Sequence, residues 1–220
     1  MKTYLALSAL LSYPEAELLE ALPEIRAALD EESMLPRAAR RDIQALIGEL
    51  AAGDLYDLQE RYVSLFDRSR ALSLHLFEHV HGESRDRGQA MVDLASLYRA
   101  RGFEAPANEL PDYLPLFLEY VSVLPRDDAK DQLAETADIL RRIGDGLARR
   151  GSRYCALFAA LLALAREQGL TEPLASLPKS SEEDSAEALD RAWRDEPVMF
   201  GGADAAPAAQ PVQFYRRRPA

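Results

Sequence analysis

Between Arg153 and Arg166 the sequence is apolar nearly all round. A helix of that composition has no face to give to water, so it requires other helices on every side. The stretch from Tyr154 to Ala165 falls short of the roughly 18 residues that cross a bilayer, so it reads as the buried centre of a bundle. The remaining chain supplies partners. Strand signals are almost absent, whereas Ile43, Leu46, Ile47 and Leu50 recur at helical spacing, as do Met91, Leu94, Ala95 and Tyr98. Both sets are expected to face the core. Leu55, Leu58, Tyr62, Leu65 and Phe66 form a further stripe, opened by Gly53-Asp54, where the glycine can end one helix and the aspartate cap the next. Leu110, Tyr113, Leu114, Phe117, Val121 and Leu124 mark a fifth face, stopped near Pro125, and Leu133, Ala137, Leu140 and Leu147 a sixth.

The expected fold is therefore all-α: a single-domain bundle of about seven to nine helices over residues 1–170, with no internal repeat. Residues 171–220 hold six of the thirteen prolines and an Ala/Pro stretch from Ala203 to Pro211, and are expected to be a flexible, acidic tail. Leu189 and Trp193 within it, spaced i, i+4, are compatible with a short docking helix, and Tyr215-Arg216-Arg217-Arg218 is an isolated basic end.

Charge and cysteine content narrow the function classes. A net charge of −11 repels nucleic-acid phosphates and anionic membrane surfaces, and no basic patch in the body of the chain is evident along the sequence. The single cysteine, Cys155, excludes an intrachain disulfide framework and a multi-cysteine metal site. Cytoplasm is the expected compartment. The apolar run from Tyr4 to Leu11 leads into Tyr13-Pro14 without a small-residue cleavage site, so it reads as a first helix with Tyr4, Leu7 and Leu11 on one face rather than as a signal peptide.

Few arrangements suggest covalent chemistry. There is no Gly-x-Ser-x-Gly elbow, and Cys155 sits in the most apolar helix, where burial makes a thiol inert. Gly144-Asp145-Gly146 lies inside a helical pattern without a following Lys-Ser/Thr pair, which suits packing or a kink rather than a phosphate loop. All three histidines fall in His75-Leu76-Phe77-Glu78-His79-Val80-His81. On a helix, His75 and His79 would share a face, and with His81 or Glu78 they are the candidate ligands of a metal-dependent helical enzyme, the alternative reading. The charged run from Gly82 to Gln89 reads as a turn in which Ser84 caps the helix carrying Met91, and in which Arg85 and Arg87 pair with Asp86, Asp67 or Glu83. In Glu109-Leu110-Pro111-Asp112-Tyr113-Leu114-Pro115, Asp112 is expected to cap the following helix and Pro115 to fit its first turn. Local helix logic leaves Glu109 without a role.

Tyr62-Val63-Ser64-Leu65-Phe66 resembles the Tyr-x-x-Leu-Phe element, and Glu109-Leu110-Pro111-Asp112-Tyr113 the Glu-x-Pro-x-Asp-His type element, of redox-enzyme maturation chaperones that serve molybdoenzymes. The block from Phe66 to Leu94, centred on Leu74 to Gln89, is similar to the respiratory nitrate reductase delta subunit branch, the molybdenum cofactor assembly chaperones, as are Trp193, Glu196, Pro197, Val198 and Phe200. Tyr113 departs from the pattern by standing where many members have histidine, so no imidazole role is carried over there. The resemblance implies a helical cytoplasmic chaperone, not an enzyme, that holds no cofactor itself. Its implied partner is the apo catalytic subunit of respiratory nitrate reductase, bound at that subunit's N-terminal segment before membrane docking. No nucleic acid partner and no stable membrane insertion are implied, and the chain is expected to be a monomer or weak homodimer. The client-binding candidates are Tyr62, Leu65, Phe66, Glu109, Pro111, Asp112, Tyr113, Phe117 and Tyr120, with Arg70, His75, His79, Arg85 and Arg87 as a polar rim. Acidic Glu109 and Asp112 would favour a basic client segment.

Overall fold

The apolar stretch does become a helix enclosed by others. In the computed structural model, which describes residues 1–80 and 85–171, α-helices run Lys2–Leu11 (α1), Ala16–Glu32 (α2), Arg37–Ala52 (α3), Leu55–Tyr62 (α4), Arg85–Ala100 (α5), Leu114–Val123 (α6), Arg126–Glu135 (α7), Ala137–Arg149 (α8) and Cys155–Ala165 (α9). Among the described residues there is no strand, and the all-α bundle is as expected. The tail beyond Thr171, including Leu189 and Trp193, lies outside the described residues, as do His81 to Ser84.

α9 packs against α8, α3, α7 and α1, and Leu157, Phe158, Ala160, Leu161 and Leu162 are fully buried. Burial pushes the Cys155 thiol up to about 12, in keeping with an inert core residue. A second seam joins α1 to α6, where buried Ser8 Oγ donates to the Pro115 carbonyl at 2.8 Å. Ile43, Leu46, Ile47 and Leu50 of α3 are all buried as their spacing requires.

Helix ends are satisfied partly by distant residues. Nothing within α1 caps its first amides; the Glu32 carboxylate, at the far end of α2, accepts from the N–H groups of Lys2 at 3.1 Å and Thr3 at 2.5 Å. Burial raises the Glu32 carboxyl, yet these donors outweigh it and hold the group below its ordinary value. Asp54 caps α4 as expected, its side chain accepting from Tyr56 N–H at 2.9 Å. Gly53 ends α3 with an ordinary negative φ of −82°. Its need is space: a Cβ there would lie 2.8 Å from Leu58 Cδ2. The Gly144-Asp145-Gly146 element is likewise a packing feature, since a Cβ on Gly144 would meet Leu170 Cδ2 at 2.4 Å and Phe158 Cβ at 2.9 Å, and one on Gly146 would meet Leu72 Cδ2 at 2.7 Å.

Three expectations are corrected. The stripe Leu133, Ala137, Leu140, Leu147 is buried throughout but belongs to two helices, α7 and α8, that meet at Thr136, whose hydroxyl donates to the Leu133 carbonyl at 2.9 Å. In α5 only Tyr98 of the expected stripe is fully buried; Met91, Leu94 and Ala95 are half-buried, because this helix lies at the margin of the bundle. Leu110 precedes α6 and is 48% exposed, so the buried face of that helix starts at Leu114.

Candidate functional site

α4 does not continue through the Tyr-x-x-Leu-Phe element. After Tyr62 the chain widens into a π-turn, Val63–Asp67, in which Arg68 N–H donates to the Val63 carbonyl at 3.0 Å. The turn sends Leu65 and Phe66 inward beside Tyr62. Ring centroids then lie 4.8 Å apart for Tyr62–Phe66, 5.2 Å for Phe66–Tyr154 and 6.3 Å for Tyr62–Tyr154, a close aromatic group at edge or tilted geometry. The partly exposed ring of Tyr13 meets Tyr62 edge-on at 5.6 Å. Burial pushes the Tyr62 phenol well above its ordinary pKa, so its hydroxyl stays neutral. That hydroxyl donates to the Leu11 carbonyl at 2.8 Å and lies 3.2 Å from Tyr113 Oη. With the Tyr62 proton committed to Leu11, Tyr113 is the donor of the second bond.

Tyr113 is held there by a short antiparallel crossing. Residues 74–76 and 112–114 exchange two backbone bonds, Leu76 N–H to the Asp112 carbonyl at 3.0 Å and Leu114 N–H to the Leu74 carbonyl at 2.8 Å, with His75 and Tyr113 opposite each other. Their rings are 5.4 Å apart. Asp112, fully buried, closes the crossing: one carboxylate oxygen lies 3.2 Å from His75 Nδ1, and the other accepts from Phe77 N–H at 3.1 Å with Arg87 Nη2 at 3.9 Å. Arg87 also reaches Glu78 at 3.3 Å. The hydrogen bond to Asp112 is the main reason that the His75 imidazole is raised above its ordinary pKa, against the opposing effect of burial. Burial also raises the Tyr113 phenol, with a smaller contribution of the same sign from the Glu109 carboxylate.

This geometry corrects two local readings. Asp112 does not cap α6, whose N-cap is Tyr113 with no side-chain bond, although Pro115 does stand in the first turn. His75 and His79 do not share an α-helical face either. His75 has extended backbone ahead of a 3₁₀ turn, Leu76–His79, and the rings are engaged separately, His75 by Asp112 and His79 Nε2 by the Ser73 carbonyl at 2.8 Å. Among the described residues no group of three His, Cys, Asp or Glu side chains could hold a metal ion, and the metal-enzyme alternative, whose third histidine His81 lies outside them, is not favoured.

A second aromatic group supports the Glu109–Tyr113 stretch. Tyr98 of α5 donates its hydroxyl to the Pro111 carbonyl at 2.7 Å and lies 4.5 Å from Tyr120 and 5.5 Å from Phe103 by ring centroids; Phe117 is 6.4 Å from Tyr120. Of the expected client residues, Tyr62, Leu65, Phe66, Asp112, Phe117 and Tyr120 are buried, Pro111 and Tyr113 half-buried and Glu109 exposed. In the expected rim His75, His79 and Arg87 gather at the crossing, Arg70 is exposed on the 3₁₀ turn Arg70–Leu72, and the Arg85 side chain and the Ser84 cap lie outside the described residues. Arg87 pairs with Glu78 and Asp112 rather than with Asp86 or Asp67. Sequence reasoning missed Tyr13 and Tyr154, and read Tyr98 as core alone; its spacing announces burial, while the carbonyl its hydroxyl reaches is set by a loop. No helix among the described residues is long and apolar enough to cross a membrane.

Comparison with known proteins places residues 15–160 in a match to the family described as nitrate reductase delta subunit. The chain is 42% identical over 194 residues to the nitrate reductase molybdenum cofactor assembly chaperone NarJ of Escherichia coli, covering 88% of this chain and 82% of that one. It is 41% identical over 214 residues to the probable nitrate reductase molybdenum cofactor assembly chaperone NarW of Escherichia coli, covering 95% and 88%. The probable chaperone of the same description, NarJ, from Bacillus subtilis is 31% identical over 170 residues, 77% of this chain and 91% of the relative.

Proposed function

Because the chain belongs to the nitrate reductase delta subunit family, we propose that it is a dedicated assembly chaperone for a respiratory nitrate reductase. In this reading it binds the apo catalytic subunit at its N-terminal segment and supports molybdenum cofactor insertion before membrane docking. It works in the cytoplasm without catalysis of its own, and the client, not the chaperone, holds the cofactor.

One observation carries the reading: the two elements that resemble maturation-chaperone motifs, 51 residues apart, meet through the hydroxyls of Tyr62 and Tyr113 at 3.2 Å. Around that contact the half-buried rings of Tyr113 and His75 and the partly exposed ring of Tyr13 offer an aromatic surface above buried Tyr62 and Phe66. An amphipathic helix can bury its apolar face on such a surface, and exposed Glu109 favours a basic segment. Leu65, Phe66, Phe117 and Tyr120 act from beneath, by fixing the residues that touch the client. The His75–Asp112–Arg87 group keeps the surface in register by pinning the crossing to α5.

The mechanism is thermodynamic. A chaperone that binds the open apo client better than the closed, loaded one shifts the client toward the open state by its differential affinity. Insertion and closure then weaken the complex and release it. Calorimetric titration with a peptide spanning the N-terminus of the catalytic subunit is the test. Saturable binding that weakens about tenfold in Tyr113→Ala, a typical cost for an aromatic anchor, and less in Glu109→Ala supports the site. Unchanged affinity in both variants places recognition elsewhere, and equal affinity for apo and loaded catalytic subunit excludes the release mechanism.

A further inference from the structure

Apart from Arg216-Arg217-Arg218, no run of three or more basic residues breaks the field of a chain whose net charge is −11. The fold assembles one from three separate stretches. Arg61, at the end of α4, and Arg153, ahead of α9, both pair with the Glu49 carboxylate, Arg153 Nε at 3.0 Å. Arg150, just past α8, directs both terminal guanidinium nitrogens at Ser69 Oγ, 3.5 Å from each. Arg68 and Arg70 flank that serine and are exposed. The Phe66 ring against Tyr154, at 5.2 Å, fixes residues 66–70 beside the turn that carries Arg150 and Arg153. Exposed Arg149 completes the set on the last turn of α8.

Helix-end electrostatics accounts for Arg149, since a cation complements the carbonyl end of a helix. It does not account for arginines brought in from α4 and from the 68–70 segment. Against these six guanidinium groups, residues 60–70 and 145–153 together with neighbouring Glu49 set four carboxylates, Glu49, Glu60, Asp67 and Asp145, so cations remain in excess. Arg150 is the most telling: a planar fork converging on one neutral hydroxyl at the long limit of hydrogen bonding is suited to a carboxylate or phosphate that takes both N–H groups.

We propose that this arginine-rich end is a docking surface for an acidic segment of a partner protein, separate from the aromatic client surface. A compact polyanion fits less well, because Glu49 stands between Arg61 and Arg153 and repels charge concentrated there. Carboxylates spaced along a protein segment interleave with the arginines instead. In a chain of net charge −11, a local cluster of cations also orients an acidic partner toward itself. The two surfaces thus select opposite charges: a basic segment at Glu109 and an acidic one at Arg68 and Arg150. The assignment stands on charge complementarity here and does not require the client to be correctly identified.

The test is calorimetric titration of the full chain with a decaglutamate peptide, with decalysine and inorganic pyrophosphate as controls. Binding of decaglutamate is expected to weaken about tenfold in the Arg68→Ser, Arg150→Ser double variant, and similarly between low salt and about 0.15 M salt, where exposed charges are screened over about 8 Å. An Arg26→Ser, Arg37→Ser variant, which removes the same charge from exposed positions elsewhere, is expected to bind as the parent does. Equal losses in the two double variants, or none in either, overturn the proposal, and pyrophosphate binding tighter than decaglutamate with the same dependence on Arg68 and Arg150 replaces it with a small-anion site. Arg68→Ser alone, at an exposed position, carries the test should the double variant not fold.

Discussion

Around α9, Leu157, Phe158 and Leu161 are buried against four helices with no polar partner required; at the crossing of residues 74–76 with 112–114, a single buried carboxylate serves three segments. The first region is held by many small, non-directional contacts, so its tolerance is set by volume. The second is held by a few directional bonds, so its tolerance is set by which atoms are present. The aromatic surface proposed to meet the client belongs to the second region, because a surface that must present particular atoms cannot be specified by apolar area alone.

The largest expected effect breaks the first region. Phe158→Ala should cost about 4 kcal/mol, the transfer term plus the cavity left in a close-packed centre, read as a lowered urea midpoint with the slope unchanged. At the crossing, Asp112→Ala should cost about 3 kcal/mol, since it strands a part-buried Phe77 N–H and leaves His75 and Arg87 without their shared acceptor. Asp112→Asn keeps the volume: recovery of most of that stability would mean that shape, not charge, holds the crossing. Gly144→Ala returns to volume and should cost about 2 kcal/mol, because the new methyl meets the Phe158 Cβ, which cannot swing aside; a neutral result in thermal unfolding would show that the α8–α9 seam has slack.

The smallest effect is titratable. His75 is raised above its ordinary value by Asp112, so the folded state favours its protonated form. The stability this contributes is fully present below about pH 6.5, the ordinary imidazole value, and is lost as the pH rises through the higher folded-state pKa. Protection of the Leu76 and Leu114 amides, corrected for intrinsic exchange, should therefore fall across that window in the parent and stay flat in His75→Gln. An equal fall in His75→Gln would assign the change to another group.

Much of the first region is legible in the sequence, because burial there follows periodicity: Ile43, Leu46, Ile47 and Leu50 are buried on α3, and the all-round apolar stretch is α9. The break at Thr136 is invisible for the same reason, since Leu133, Ala137 and Leu140 keep their spacing across it. The second region is less legible. Asp112 reads as a local cap, yet its partner His75 is 37 residues away, and no local rule weighs a distant imidazole against a nearby helix end. Glu109 is legible only as a residue that local helix logic cannot use, and the structure leaves it exposed with its charge acting on Tyr113. The arginine-rich end escapes altogether, because Ser69 and Arg150 are 81 residues apart and charge patterning sees only neighbours.

The π-turn after Tyr62 makes the Tyr-x-x-Leu-Phe element a ruler as well as a set of side chains. Substitutions at half-buried Val63 or Ser64 leave its two ends where they are. Deleting either residue would close the wide turn into ordinary helix and bring the 68–70 arginines one residue nearer to Tyr62, about 1.5 Å along the helix axis. Chain length at this one place therefore sets the distance between Tyr62 and the basic segment 68–70, a spacing that a deletion would change and a substitution would not.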